Sequence, residues 1–137
     1  MRRRDVHQRV RLTDCTFERT GEGERYARVV LAWGSGEEFV GEATADASAQ
    51  GALRAAAEAT AAALVHASEG RVQLDVLAVK AVEGYDTIVV VVSLQSESSG
   101  IVERLVGSCL IRGQPDRGAV LAVLSGTNRL FGKVVNG

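Results

Sequence analysis

The residues of this sequence that could do chemistry are few and lie far apart along the chain. His7 and His66, the two histidines, have no obvious carboxylate partner nearby in sequence to orient an imidazole for acid–base work. The serines between Ser93 and Ser99 lack the GxSxG turn that exposes a nucleophile, and their clustering is typical of a hairpin loop. The glycine-rich pieces match neither a P-loop nor a dinucleotide-binding fingerprint. The sequence therefore predicts no catalytic residue and no cofactor.

Metal ligation has no better support in the sequence. Cys15 and Cys109, the two cysteines, form no CxxC pair and stand near no histidine at ligand spacing. Glu37, Glu38 and Glu42 also lack a partner cluster at such a spacing. No apolar stretch follows the N-terminal arginines, so no secretory signal is expected. We predict no metal site and a cytoplasmic protein with reduced thiols.

The best places for a ligand are the two segments that join a strand to a helix, residues 41–50 and 107–116. A helix start offers free backbone N–H groups and a positive dipole end, which suit a carboxylate or a phosphate. These segments contain four polar candidates for ligand binding: Asp46, Ser48, Arg112 and Gln114. Because opposite charges fall at related places in the two segments, the pattern favours a zwitterion such as an amino acid. The alternative is that Asp46 caps its helix and Arg112 pairs with a surface acid.

The strands and helices around those segments determine where they lie. The pattern of the first half of the chain predicts three antiparallel strands followed by a helix. Val10 and Leu12 alternate with polar residues, and the change of parity at Cys15 predicts a bulge near Asp14. Glycine-rich turns separate the strands. The helix that follows carries an apolar stripe and runs to about His66. On its other side Arg54 and Glu58 lie four residues apart, a spacing typical of a solvated helix face.

The second half predicts the same order of elements. Alternation begins again at Val72, and the β-branched run from Thr87 to Leu94 predicts a central strand with both faces covered. A third strand contains Gly107, and Pro115 fits the first turn of a closing helix.

The two halves resemble each other in sequence, with small gaps in the loops. We interpret them as repeats of about residues 7–68 and 70–135 within one domain, 1–137, that begins with a basic arm over residues 1–6. The matched pairs are Val10 with Val72, Leu12 with Leu74, Tyr26 with Tyr85, Val40 with Val106, Gly41 with Gly107, Gly51 with Gly118, Ala55 with Ala122, and Thr60 with Thr127. We predict an α+β fold of two tandem βββα repeats with pseudo-twofold symmetry, in which an antiparallel sheet carries the helices on one face. Gly41 and Gly107 have structural roles in this interpretation, since a missing side chain lets a helix come close.

Composition limits the possible partners. The chain has 137 residues, of which 46% are hydrophobic, and this suits one ordinary core. The 16 basic residues are balanced by 17 acidic ones, so no overall field attracts nucleic acid or an anionic membrane. Neither partner is expected.

A second copy of the chain is the expected protein partner. One sheet with helices on a single face leaves its other face bare, which would expose either Ile88, Val90 and Val92 or Thr87, Val89 and Val91. Covering such a patch with its twin gives a twofold homodimer.

The second half also resembles a known family. The resemblance rests on the element order and on a Gly-x-Asp turn before the valine-rich strand, together with Gly84, Asp86, Gly107, Ala122, Asn128 and Arg129. These features are similar to the C-terminal regulatory domain of 2-isopropylmalate synthase and citramalate synthase. That resemblance implies two βββα units, dimerisation and binding of an end-product amino acid. It covers no catalytic barrel, so it implies no aldol-type chemistry.

From the residues and the resemblance we expect a non-catalytic regulatory or ligand-sensing module, a stand-alone relative of the amino-acid-binding domain. Two other classes stay open at this point. One is a small enzyme whose site forms only at a subunit interface, and the other is an interaction scaffold that binds no small ligand.

Overall fold

The computed structural model describes residues 9–21 and 23–136, with side chains described as far as Phe131. The basic arm predicted over residues 1–6 and His7 lie outside the described residues. The elements within the described part occur in the order strand, strand, strand, helix, twice. They are β1 (Arg11–Thr20), β2 (Glu24–Trp33), β3 (Glu37–Asp46), α1 (Ala49–Ala67), β4 (Gln73–Glu83), β5 (Ile88–Ser98), β6 (Ile101–Ile111) and α2 (Pro115–Asn136). This order confirms the predicted α+β fold of two tandem βββα units.

The six strands divide into two antiparallel sheets of three, which differs from the single sheet that we expected. β2 is the central strand of the first sheet, and β5 is the central strand of the second. The reason lies in α1, which packs against β2 and β3 of its own unit and also against β4 and α2 of the other unit. Because α1 has neighbours on two sides, each sheet can bury one face in the shared core without hydrogen bonding to the other sheet.

The small side chains of α1 make this double packing possible. Twelve residues of the helix are buried, and most of them are alanines: Gly51, Ala52, Leu53, Ala55, Ala56, Ala57, Ala59, Thr60, Ala61, Ala63, Leu64 and Ala67. Burial extends around most of the helix and is not confined to one stripe, as is usual for a helix inside a core.

Polar side chains of α1 also hold the second unit. Gln50 donates to the Val79 carbonyl over 2.7 Å, and Arg54 Nη2 donates to the Val76 carbonyl over 2.6 Å. The interpretation of Arg54 and Glu58 as a merely solvated face was therefore incomplete. The two do form an ion pair of 2.9 Å, but Arg54 also joins α1 to β4.

Strand register shows that the two units have the same construction. In the first sheet the pairing of β1 with β2 shifts between Leu12 and Asp14, which confirms the predicted bulge. In the second sheet the pairing of β4 with β5 shifts between Val76 and Ala78. Leu12 pairs with Leu31 and Val76 pairs with Leu94, so both bulges follow an apolar cross-strand pair. Leu12 is therefore equivalent to Val76, and the predicted match of Leu12 with Leu74 is wrong. A bulge at the same place in both sheets is strong evidence of duplication.

Gly41 and Gly107 lie at equivalent points of the third strands, and each touches the backbone of a helix. Gly41 pairs with Val29, and Gly107 pairs with Val92. A Cβ atom on Gly41 would lie far inside van der Waals contact with the Ala59 carbonyl oxygen. A Cβ atom on Gly107 would do the same to the carbonyl oxygen of Ala122. Each helix can cross its sheet this closely only because the strand has no side chain there.

These contacts correct the matching of the helices. The sequence pairs Ala122 with Ala55, whereas contact with the two glycines pairs Ala122 with Ala59. The helix matches are therefore displaced by about one turn. In a helix with an alanine at every turn, a shift of four residues gives almost the same match.

The valine-rich strand is central in its sheet, as predicted, but its two faces differ. Val90 and Val92 are fully buried, whereas Val89 and Val91 are half-buried. The expectation of an exposed apolar set thus holds only in part, because Val89 and Val91 are partly covered. The exposed aliphatic side chains lie instead on the flanking strands β4 and β6.

Candidate functional site

The starts of both helices line one cleft of about 390 Å³ between the two units. We call it the inter-repeat cleft. Its lining residues come from β2, α1, β4, β5 and α2: Arg25, Ala49, Ala52, Leu53, Ala81, Glu83, Ile88, Pro115 and Asp116. A smaller pocket of about 170 Å³ shares Arg25, Ala52 and Asp116 with it and is also lined by Phe17 and Gln114. Two helix N-termini beside one concave surface concentrate unpaired N–H donors and positive dipole ends there.

The cleft follows the duplication of the chain but is not symmetrical. Arg25 pairs with Ala45 near the end of β3, and Ile88 pairs with Ile111 at the end of β6. Ala45 and Ile111 each lie four residues after the equivalent glycines, so Arg25 and Ile88 occupy equivalent positions. One unit thus gives the cleft a cation where the other gives it an apolar side chain.

Arg25 is held at the cleft by the segment before α1. Its Nε donates to the Ala47 carbonyl over 2.9 Å, and its side chain is half-buried. That bond uses one of five guanidinium N–H groups, which leaves the terminal nitrogens available for a planar acceptor such as a carboxylate.

Asp116 supplies the opposite charge. It lies in the first turn of α2 and is half-buried. Burial raises the pKa of Asp116 above its ordinary value, and the positive charge of Arg25 opposes that rise. The only ion pair within residues 9–21 and 23–131 joins Arg54 to Glu58, so Arg25 and Asp116 line the same cleft without neutralising each other directly.

Asp46 and Ser48, two of the predicted ligand residues, build the start of α1. Ser48 is the N-cap, and its hydroxyl oxygen accepts the Gly51 N–H over 2.9 Å. The Asp46 carboxylate accepts the Ser48 N–H over 3.0 Å and also the Ser48 hydroxyl. These hydrogen bonds, the one from the hydroxyl first, lower the pKa of Asp46. Asp46 thus supports the cap and is not itself the capping residue.

The other two predicted ligand residues lie in different surroundings. Arg112 is exposed and is not among the residues that line the inter-repeat cleft or the smaller pocket. Gln114 lines the smaller pocket, and its carbonyl accepts the Gly118 N–H over 3.4 Å. None of the four predicted residues lines the inter-repeat cleft, and only Gln114 lines the smaller pocket beside it.

Sequence reasoning missed Arg25 and Asp116. Asp116 had a usable signal, because it follows Pro115 at a predicted helix start. Arg25 had none, since an arginine at the beginning of a strand is ordinary until the fold places it beside two helix starts. His66 has the structural role that we favoured: its Nδ1 lies 2.8 Å from the Val40 carbonyl and joins the end of α1 to β3.

Other kinds of site find no support in the part of the chain that the structure describes. It contains no group of three or more His, Cys, Asp or Glu side chains arranged to hold a metal ion. Cys15 and Cys109 are both free and half-buried. Neither described helix has the length and apolar character that crossing a membrane requires.

No model of a known protein family matches this chain, and no curated protein matches it. The inter-repeat cleft and the resemblance described above are therefore the two indications of function.

Proposed function

We propose that this chain is a non-catalytic ligand-sensing module that binds a small amino acid in the inter-repeat cleft and acts as a cytoplasmic homodimer. The observation that carries this proposal is the meeting of Arg25 and Asp116, unpaired with each other, beside two helix starts in one cleft. The resemblance to the regulatory domain of 2-isopropylmalate synthase supports the same class of ligand.

The cleft offers a complement to each part of a zwitterion. A ligand carboxylate would bind the terminal nitrogens of Arg25 and the free N–H groups of a helix start. The ligand ammonium would bind Asp116, with Glu83 as a second acidic residue in the lining. Both charges would be desolvated only in part, because the cleft is open to water.

The remaining lining favours an aliphatic side chain on the ligand. Five of the lining residues are aliphatic and come from both units: Ala49, Ala52, Leu53, Ala81 and Ile88. No tryptophan, tyrosine or phenylalanine lines the inter-repeat cleft, so its walls are better suited to a branched aliphatic group than to a stacked ring. Leucine, isoleucine and valine are therefore the first ligands to test.

Calorimetric titration with these three amino acids tests the proposal. We expect Arg25→Ala to weaken leucine binding roughly ten- to a hundredfold, because a charged hydrogen-bonded grip on a carboxylate contributes about 1.5 to 3 kcal/mol. Arg112→Ala is the matched control, since it removes an exposed arginine outside the cleft and should leave the affinity unchanged.

Isopentylamine, which is leucine without its carboxylate, sharpens the experiment. If Arg25 holds the carboxylate, the amine should bind Arg25→Ala no more weakly than it binds the native chain. No heat and no thermal shift at millimolar amino acid would reject ligand sensing and favour a scaffold. A loss of binding with Arg112→Ala alone would move the site back to the predicted segment.

A further inference from the structure

We propose that two copies of this chain dimerise through the outer face of the second sheet, with β4 of one copy lying over β6 of the other. The outer face is the side of the β4–β5–β6 sheet opposite the buried residues Val90, Val92 and Leu94. This inference gives the proposed homodimer a surface and a register. It does not depend on ligand binding, because the inter-repeat cleft lies within one chain.

Strand register shows which side chains share the outer face. Reading across β4, β5 and β6, its central rows are Val82–Val89–Leu110, Lys80–Val91–Ser108, Ala78–Ser93–Val106 and Asp75–Gln95–Arg104. Val106 is 67% exposed, Leu110 is 65% exposed and Val82 is 48% exposed. Exposed branched residues that adjoin half-buried valines form a continuous apolar patch of the kind that marks an interaction surface.

The first sheet provides an internal comparison, because its outer face is built on the same register but is mostly polar. Its corresponding rows include Thr16–Arg28–Glu42 and Glu18–Tyr26–Thr44. Tyr26 donates a hydrogen bond to the Glu42 carboxylate, and this bond is the main reason that the pKa of Tyr26 is raised. Tyr26 and Glu42 thus pair with each other on the first outer face, whereas the second outer face exposes aliphatic side chains.

A second copy fits this face better than an unrelated partner, because the face is complementary to itself. Two sheets that pack face to face keep their strands nearly aligned and about 10 Å apart. A twofold axis along β5 places β4 of one copy over β6 of the other. In that arrangement Val82 meets the partner's Leu110, and the small Ala78 meets the partner's Val106.

The charged residues select the same arrangement. Asp75 and Arg104 end one row, so the twofold axis along β5 sets Asp75 against the partner's Arg104, and the symmetry makes this contact twice. Lys80 then lies opposite the partner's Ser108, at the edge of the sheet, where its long stem can reach water. A twofold axis running across the strands at the Lys80 row would instead lay Lys80 on the partner's Lys80, which is unfavourable.

Sedimentation of the native chain and two matched variants tests the surface. We expect a dimer at micromolar concentration, and we expect Val106→Glu to raise its dissociation constant at least roughly tenfold by burying two unpaired charges. Val40→Glu is the control, because Val40 is the equivalent residue of the first sheet and should leave the dimer intact. The proposal is overturned if the native chain is a monomer up to roughly 100 μM, or if both variants behave alike.

Charge exchange tests the register. Asp75→Arg sets an arginine against the partner's Arg104, and Arg104→Asp sets an aspartate against the partner's Asp75, so each variant alone should dimerise roughly tenfold more weakly. An equimolar mixture of the two variants should form heterodimers, because both charge contacts are then attractive. Contacts within one chain cannot give such a rescue. Failure of the mixture to associate would overturn the proposed register.

The ligand proposal and the dimer proposal can fail separately. If both are correct, Val106→Glu dimerises more weakly but still binds leucine, since the cleft and the outer face share no lining residue.

Discussion

At the residue scale, Gly41 and Gly107 are equivalent positions where one added carbon atom would collide with the backbone of a helix. Each lies beneath the backbone of the helix that follows it, and backbone cannot turn aside as a flexible side chain can. By contrast, a Cβ atom on Gly21 would meet nothing within 4 Å. Comparing substitutions at the three glycines therefore distinguishes the effect of a steric collision from the general effect of replacing a glycine.

We expect Gly41→Ala and Gly107→Ala each to lower the free energy of unfolding by roughly 1 to 3 kcal/mol, the range for overpacking a core. Gly21→Ala should have little effect. Urea denaturation of the three variants measures the difference. If either Gly41→Ala or Gly107→Ala unfolds like Gly21→Ala, that glycine has no packing role and the equivalence of the two units is lost.

Asp116 makes the proposed ligand binding depend on pH. Its pKa is raised by burial, so it takes up a proton at a higher pH than an ordinary aspartate, whose pKa is 3.8. The ammonium of leucine binds the charged form. Leucine affinity should therefore fall as the pH is lowered from 7 through the raised pKa, with up to one proton taken up as binding is lost.

Calorimetry at several pH values measures this dependence. Asp116→Asn should bind leucine more weakly at pH 7 and should lose most of the pH dependence. Glu83 is a second carboxylate in the lining of the cleft, so Glu83→Gln is the necessary comparison. A native pH profile that Asp116→Asn leaves unchanged would exclude Asp116 as the partner of the ammonium.

At the scale of the elements, α1 depends on a start built from two side chains. Ser48 caps the helix through the Gly51 N–H, and Asp46 holds the Ser48 hydroxyl and N–H. Gly51 must itself be small, because a Cβ atom there would collide with the Asp46 carbonyl. The β3–α1 turn is thus determined by three residues close in sequence.

Ser48→Ala should lower the free energy of unfolding by about 1 kcal/mol, the usual effect of losing a cap. Asp46→Asn should also destabilise at pH 7. Because the folded-state pKa of Asp46 is lowered, its contribution is present above the ordinary value of 3.8 and disappears as the pH falls through the lowered one.

Thermal unfolding at neutral and acid pH measures both effects. The two substitutions should be less than additive, since they remove parts of one network. Ser125→Ala, at an exposed position inside α2, is the control and should be close to neutral. Full additivity would mean that Asp46 does not act through Ser48.

Local pattern was enough to predict the elements, but it did not predict their long-range neighbours. The parity change at Cys15 located the bulge, and Pro115 located the start of α2, because both signals depend only on adjacent residues. The division into two sheets was not predictable in this way. It depends on α1 accepting a second neighbour, and alanines that line a core look in sequence like alanines that face solvent. The position of Arg25 in the candidate site was not predictable for the same reason, since it depends on contacts between elements that are distant in sequence.

At the scale of the whole molecule, the duplicated units have diverged where they face outward and where they meet. Their strands keep the same register and the same bulge. Yet Arg25 in the first unit occupies the position that Ile88 occupies in the second. The outer face of the first sheet is mostly polar, whereas that of the second sheet is apolar. Duplication thus gave one chain two copies of a scaffold, and the differences between the copies supply the proposed site and the proposed interface.

The double packing of α1 also affects the order in which the chain can complete its fold during synthesis. The residues of the first sheet and α1 are translated before those of β4 and α2. Until those later elements arrive, the alanine surface of α1 that will contact them stays open to water, and Gln50 and Arg54 have no acceptors on β4. The first half therefore remains an incomplete intermediate, exposed to chaperones and to other nascent chains. It is completed only when the second half has been translated and packs against it.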